Sequence, residues 1–467
     1  MPDTAAIFDL DRTLVAGATG PILGAVLREH GVLADRSIPG EGIVYRLFDL
    51  IGETRPSMLL TRQAARAAAG WDRGAVQEAG RVAAERLDSV VAPYARHTID
   101  EHREAGHRLV LATTTPLDLI EPLAERLGFD AVVATRYRSV DGRYVGEIDG
   151  PFVWGRGKLA AVTEWASAVD VDLGTSHAYS DSYYDVPLLS AVGHPTAVNP
   201  DARLAAYARL RRWPVRRFDA PPGVPKLAGI EPQQVALSVV RPEFLPWVRF
   251  DVDGLESLPE SGPAIVAANH RSYFDPVALA LALAPRGRPL RILGKAEVFD
   301  APVVGQLARS LGAIRVDRGS GSDEPLREAA AALDAGEVVA ILPQGTIPRG
   351  RAFFDPVLRG RWGAARLAEM TGAPVVPVGL WGTEEVWPRS SRVPHLWNVL
   401  SPPTVRVRVG EPGIVAGPDP AVLTDQIMAA IVALLPDEAR RHRDPTPEEL
   451  ARTWPGGRPG PDDEPSA

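Results

Sequence analysis

Two successive α/β domains are what this sequence predicts, and three observations predict them. Short apolar runs of strand length alternate with longer Ala-, Leu-, Arg- and Glu-rich stretches of helical spacing, the pattern of parallel sheets covered by helices. A break crowded with proline and glycine, from Asp219 to Pro232, divides this alternation into two halves. Finally, 467 residues with 45% hydrophobic and 24% charged content make an ordinary globular composition, long enough for two generous domains or three ordinary ones.

The composition also excludes several chemistries. With 51 basic against 59 acidic residues the formal charge is −8, which argues against a nucleic-acid partner held by the charge of the whole protein. There is no cysteine, so disulfides, thiolate zinc sites and cysteine nucleophiles are ruled out. Covalent or metal chemistry must use Asp, Glu, His, Ser, Thr or Lys. Residues 1–11 carry Asp3, Asp9 and Asp11 and no basic residue, unlike a signal peptide, and a cytoplasmic location is expected. The most apolar stretch, Val277 to Ala284, falls far short of the roughly 18 residues of a membrane span, so membrane contact is expected to be peripheral.

Taken in order, Ala5-Ala6-Ile7-Phe8 reads as a buried strand running into Asp9-Leu10-Asp11-Arg12-Thr13. Residues 19–107 read as a helical insert, with helices near Ser57 to Ala69 and Ala75 to Tyr94. Strands follow at Arg108 to Ala112, Ala131 to Ala134 and Ser176 to Tyr179, separated by helices at Asp118 to Leu127 and Gly157 to Val169. Between Ala202 and Phe218 stand Arg203, Arg209, Arg211, Arg212, Arg216 and Arg217 and no acid, either a solvated helix and edge strand or a patch facing anionic lipid. Past the break, strands are expected at Pro263 to Ala267, Leu290 to Gly294, Val338 to Leu342 and Pro374 to Leu380. Helices are expected at Pro276 to Leu283, Glu324 to Ala335 and Arg361 to Met370. Residues 441–467, rich in Pro, Gly and acids, are expected to form a disordered tail.

The first chemical constellation has four parts in order. Asp9 and Asp11 follow the first strand, where Asp-x-Asp alone could be only a turn or helix cap. Thr113-Thr114-Thr115 follows the second, where hydroxyls and strand-end amides can bind phosphate oxygens. Lys158 supplies a positive point charge, and Ser180-Asp181-Ser182-Tyr183-Tyr184-Asp185 brings two further carboxylates to a strand-to-helix junction. Together they resemble the haloacid-dehalogenase-type phosphatases, near the phosphoserine-phosphatase-like branch, over residues 1–219. The resemblance implies a Rossmann-like parallel sheet with a helical cap over about 15–105. It implies Asp9 as nucleophile and Asp11 as general acid and base. It also implies Mg²⁺ held by Asp9, the Asp11 carbonyl and Asp181, phosphate held by Thr113 and Lys158, and Asp185 orienting Lys158 or metal-bound water. The substrate would be a small phosphomonoester. Residues 12–28 contain no acid to meet a phosphoserine ammonium, which leaves Glu41, Asp49 and Glu53 as candidates.

The second constellation is Asn269-His270-Arg271-Ser272-Tyr273-Phe274-Asp275-Pro276 after an apolar run. Five residues turn a helix by about 500°, so His270 and Asp275 cannot share a helix face but can meet across a turn. Asp275 before Pro276 reads as an N-cap that places His270 on the preceding loop. This pattern resembles the lysophosphatidate-type glycerolipid acyltransferases, as do Gly294-Lys295, Gly312 to Arg318, Pro343-Gln344-Gly345-Thr346 and Val376-Pro377-Val378. The family usually carries Glu where Gln344 stands and Arg where Ile347 stands, with Arg349 two positions later.

That resemblance covers about residues 241–415 and implies a second α/β acyltransferase domain over 241–440, joined by a linker at 220–240. His270 would act as general base, supported by Asp275, in direct transfer from acyl-CoA. Lys295, Arg318, Gly345 and Thr346 would bind a lysophospholipid or glycerol-phosphate-type acceptor. Pro232 to Phe250, with Phe244, Trp247 and Phe250, is either a membrane-docking stretch or core. The expectation is thus a bifunctional enzyme, peripheral on an anionic membrane at the inner face of the cell. The alternative is one working half and one binding or regulatory half.

Overall fold

The computed structural model describes residues 3–33, 55–221, 224–226, 231–239, 244–302, 304–317, 323–414, 417 and 419–459. The chain forms two compact units, Met1–Pro222 and Gly223–Ala467.

The first unit is built on strands β1 (Ala5–Phe8), β2 (Arg108–Pro116), β3 (Ala131–Val140), β4 (Arg143–Asp149), β5 (His177–Ser180), β6 (His194–Val198) and β7 (Val215–Arg216), in the order 4-3-2-1-5-6-7. All neighbours are parallel except β3 and β4. β1 is central and fully buried, as an all-apolar run in a parallel sheet must be. Its register pairs Phe8 with Leu111 on one side and Tyr179 on the other, so the C-terminal ends of β1 and β5 lie side by side, while β2 runs on past them to Pro116.

The β3–β4 hairpin is a feature the sequence reading lacks. It turns on Asp141 and Gly142, both with positive φ (50° and 75°), the conformation a two-residue hairpin turn requires. The helix Arg73–Asp88 packs on the helix Leu117–Arg126. Burial alone would raise the Asp118 carboxyl, but Arg73, Tyr144 and Gln77 donate to it and hold it below its ordinary range. The helix Pro93–Glu104, placed in the insert by the sequence, packs on β2. The arginine-rich stretch forms the helix Ala202–Arg211, capped by Asp201, and the short edge strand β7.

The second unit carries β8 (Arg249–Asp253), β9 (Ala264–Ala268), β10 (Leu290–Lys295), β11 (Ile314–Val316), β12 (Val338–Ile341), β13 (Val375–Trp381) and β14 (Thr404–Val409), ordered 11-10-12-9-13-14-8. Only the β13–β14 pair is antiparallel. Apolar clusters cover both faces of the central strands. Strands β8, β11 and β14 and the helix Pro420–Ala433 add to the expected elements.

Two segments differ from the sequence reading. The stretch read as a linker contains the helix Pro232–Val239. Its start is pinned to the second unit by a buried cluster: Arg291, 0% exposed, meets Glu231 at 2.8 Å and Glu337 at 2.7 Å, while Gln233 donates to Leu290 O. Leu245, Trp247 and Phe250 pack on the core, whereas Val235 and Phe244 are exposed. The segment read as a disordered tail holds the helix Pro447–Arg452, opened by a capping box between Thr446 and Glu449, with Thr453 accepting from Gly350 N. Residues 460–467 lie outside the described residues, as do Glu41, Asp49, Glu53 and Arg318.

Candidate active sites

Because β1 and β5 are in register through Phe8 and Tyr179, Asp9 and Ser180 leave the sheet together, and Asp11 and Asp181 follow just beyond. The chain turns sharply there: Arg12 adopts φ of 57°, its carbonyl accepts from Asn199, and its guanidinium reaches Asp181 at 3.3 Å. Lys158, from the first turn of the helix Arg156–Ala168, is buried and donates to Asp9 Oδ1 at 2.7 Å and to Asp185 Oδ2 at 2.6 Å. Ser180 Oγ also donates to Asp185 Oδ2, at 2.7 Å. Of the three threonines, Thr113 is buried in β2 just past the end of β1 and accepts from Thr115 N, while the Thr114 hydroxyl is spent on Val153 O. Asp11 Oδ1 accepts from Thr19 N at 2.5 Å, which ties the turn to the helix Gly20–Glu29.

The charge balance of this cluster fits a divalent cation. The carboxylates of Asp9, Asp181 and Asp185 outnumber Lys158 and Arg12 by one negative charge in a largely buried place, and Asp11, two residues on from Asp9, adds a further carboxyl. Hard carboxylate and carbonyl oxygens are the ligands Mg²⁺ takes, and buried charge demands compensation. Asp185 Oδ1 is buried with no hydrogen-bond partner among the described residues. Arg12 and Ser180 join the site as neighbours of the carboxylates the sequence marks. Their only signal was adjacency to Asp11 and Asp181.

In the second unit, the loop after β9 is held from four directions. Asn269 donates to Leu380 O at 2.9 Å and accepts from Leu380 N at 2.7 Å, continuing the β9–β13 ladder with a side chain. Asp275 Oδ2 accepts from Arg271 N (2.6 Å), Ser272 N (2.8 Å) and His270 Nδ1 (2.7 Å). Ser272 Oγ donates to Trp387 O at 2.6 Å. Gln344 Oε1 accepts from His270 N at 2.6 Å.

His270 and Asp275 therefore meet across the turn as the spacing predicts, but not by N-capping. Asp275 is the first residue of the helix Asp275–Leu283 and Phe274 is the cap, so the carboxylate reaches back to amides of the preceding turn. All three bonds use one oxygen; Oδ1 is buried without a partner among the described residues. With Asp275 ionised, His270 Nδ1 must be the donor, which leaves Nε2 as the proton acceptor. Gln344, a departure from the usual Glu, is the acceptor that fixes the His270 backbone.

The expected acceptor-binding residues are partly brought together. Lys295 Nζ lies 3.4 Å from Thr346 Oγ1. The Gly345 N–H donates to Leu342 O within the turn, so that amide is engaged by the turn itself. Ile347 is buried, and its carbonyl accepts from Arg389, a buried cation the motif reading did not include. Arg271 lies between the Phe353 and Trp381 rings, at 4.2 and 4.0 Å, and pairs with Glu384 at 2.7 Å.

The haloacid dehalogenase-like hydrolase family matches residues 6–190, and the acyltransferase family matches residues 249–381. The "inhibition of morphological differentiation protein" of Streptomyces azureus is 35% identical over 227 residues, 47% of this chain and 80% of that protein. A phosphoserine phosphatase of Mycobacterium tuberculosis is 35% identical over 218 residues, 46% of this chain and 70% of that protein. Among solved structures, the 1-acyl-sn-glycerophosphate acyltransferase of Thermotoga maritima is 24% identical, with a TM-score of 0.32, over 43% of this chain and 74% of that one.

Proposed function

Because this chain belongs to the haloacid dehalogenase-like hydrolases and carries an acyltransferase domain over residues 249–381, we propose that it acts at two sites, hydrolysing a small phosphomonoester at Asp9 and acylating a lysophospholipid or glycerol-phosphate-type acceptor at His270. The observation that carries the reading is the pair of assembled centres: Asp9 held by Lys158 at 2.7 Å, and His270 held by Asp275 at 2.7 Å.

At the first site, Lys158 fixes one oxygen of Asp9, which leaves the carboxylate aligned to attack phosphorus and form an aspartyl-phosphate while the ester P–O bond breaks. Asp11 delivers a proton to the leaving oxygen and then takes one from the water that cleaves the aspartyl-phosphate. Thr113 and Lys158 hold the phosphoryl oxygens. Asp9, the Asp11 carbonyl and Asp181 would hold Mg²⁺, which neutralises phosphoryl charge when bound.

At the second site, His270 Nε2 takes the proton of the acceptor hydroxyl, and the oxygen attacks the thioester carbonyl of acyl-CoA. The C–S bond breaks and His270 returns the proton to the departing thiolate. Asp275, fully buried and anchored by two amides, keeps the imidazole in the productive tautomer and stabilises its protonated form. Lys295, Thr346 and Arg318 would bind the acceptor's phosphate.

Peripheral attachment to a membrane, which this reading puts at the inner face of the cell membrane, draws its support from an exposed apolar stretch past the second site. In it Val393 is 60%, Trp397 84% and Leu400 99% exposed. No helix among the described residues is long and apolar enough to cross a membrane.

The test is a matched pair of screens. Phosphate release with Mg²⁺ is measured over phosphoserine, polyol phosphates and lysophosphatidate, and CoA release over the same lysolipids with one acyl-CoA. At least one substrate in each screen is expected to turn over. No phosphate release from any ester, or CoA release that does not depend on the acceptor, contradicts the reading.

A further inference from the structure

We propose that the end of the first sheet opposite Asp9 is a transition-metal site, with His102, His107 and His177 as ligands for a zinc-type divalent ion. Three of the four histidines gathered there stand at strand beginnings: His107 directly before β2, His177 first in β5 and His194 first in β6. The fourth, His102, comes from the helix Pro93–Glu104 that packs on β2. One ring nitrogen from each of His102, His107 and His177 lies within 4.8 Å of the others. The His177 ring also lies 4.6 Å from that of His102 and 4.5 Å from that of His194.

The proton arrangement favours a cation. His102 Nδ1 and His107 Nδ1 face each other at 2.8 Å, so one donates its proton to the lone pair of the other. When that proton moves to Nε2 of its own ring, both Nδ1 lone pairs face the same place and a metal ion can stand there. Zinc–nitrogen bonds of about 2.0–2.1 Å in a tetrahedron place two ligand nitrogens roughly 3.3 Å apart, so the pair opens by only about half an ångström. His102 Nε2 then carries its proton and donates to the Tyr179 hydroxyl at 2.7 Å, the outer partner that metal-bound imidazoles ordinarily have.

Glu101 lines the adjoining cavity of about 630 Å³ and adds a negative charge; Arg211 and Arg212, which also line it, and Arg216, 3.9 Å from Glu101, oppose it.

Neutral imidazoles select zinc, cobalt, nickel or copper over Mg²⁺, so the two ends of the sheet differ in the metal they suit. Four residue steps of extended chain lead from His177 to Asp181, on the order of 13 Å. The ion therefore does not reach the phosphoryl site. It joins the helix Pro93–Glu104 to the starts of β2 and β5.

The test uses the full chain, purified without a polyhistidine tag, stripped with a chelator and titrated with Zn²⁺ and with Co²⁺ in excess Mg²⁺. One equivalent is expected to bind with a Kd of about 1 μM or tighter, with the visible bands of tetrahedral Co²⁺. His107→Gln and His177→Gln each remove a ligand and should weaken binding by at least about 100-fold, the upper end of what losing an outer partner of a ligand costs, while Asp9→Asn leaves it unchanged. Because a variant could misfold, wild type is also treated with diethyl pyrocarbonate, and Zn²⁺ should protect His107 and His177. Absence of stoichiometric binding, equal binding by His177→Gln, loss of binding in Asp9→Asn, or no protection of these histidines would each overturn the proposal.

Discussion

Replacing Lys158 by Met separates the structural and catalytic parts of the first site. The ammonium lies 2.7 Å from Asp9 Oδ1 and 2.6 Å from Asp185 Oδ2, with side-chain exposures of 2% for Lys158 and 1% for Asp185. At an effective dielectric of about 20, a pair at this distance attracts by roughly 6 kcal/mol before desolvation. Removing one partner of a buried pair costs about 3–5 kcal/mol net, because the other charge stays buried. After Lys158→Met, Asp185 keeps the Ser180 hydroxyl, and its Oδ1 has no partner among the described residues. The expected loss is therefore about 3–5 kcal/mol, read as roughly two to three and a half decades less hydrogen-exchange protection in residues 177–190. Adding Asp185→Asn removes the stranded charge and should recover about 1–3 kcal/mol. Phosphate release should stay at least about 100-fold down in both variants, since Asp9 has lost its anchor. Protection within about 1 kcal/mol of wild type in Lys158→Met, or no recovery in the double variant, would refute a paired, ionised Lys158.

Other consequences are equally direct. Gln344→Ala removes the acceptor of the His270 amide and should lower acyl transfer about tenfold, the equivalent of about 1.4 kcal/mol, whereas Gln344→Glu keeps the acceptor and most of the rate; equal kcat in wild type and Gln344→Ala would contradict this. Arg291→Ala strands the carboxylates of Glu231 and Glu337 and should destabilise the second unit by about 3–5 kcal/mol in urea unfolding; a change below about 1 kcal/mol would refute the buried cluster. His102 and His177 fall to about 4 in the folded chain from 6.5, so the unfolded chain binds more protons between those values. Stability of the first unit is thus complete above about pH 6.5 and is lost as the pH falls toward about 4. His177→Gln should flatten that loss in thermal melts, and an unchanged profile would contradict it. Trp397→Ser with Leu400→Ser should weaken sedimentation with anionic vesicles; undiminished binding would remove this stretch from the contact.

Much of both sites was legible because parallel sheets concentrate chemistry at strand ends. An apolar run followed by Asp9 or His270 announces both the strand and the position of the side chain. Other features had local signals that went unread. Asp141-Gly142 between alternating residues marks the hairpin, Thr404 to Val409 alternates with period two, and Thr446 with Glu449 is a capping-box pair inside the supposed tail. The contacts that complete the sites had no such signal. Gln344 meets His270 across 74 residues, and Arg291 gathers Glu231 and Glu337 from 60 residues upstream and 46 downstream. The histidines at 102, 107, 177 and 194 become neighbours only through the order of β2, β1, β5 and β6. Asp275 shows the same limit at short range: its spacing from His270 was readable, but its use of a single oxygen for three donors was not.

The central claim is that one chain carries two separate chemistries, one at Asp9 and one at His270. It is tested most directly by assaying wild type, Asp9→Asn and His270→Ala for both phosphate release and acceptor-dependent CoA release from the same preparations. Asp9→Asn is expected to abolish phosphate release and keep CoA release, and His270→Ala to do the reverse. Loss of both activities in either variant, or full retention of both, would contradict the account.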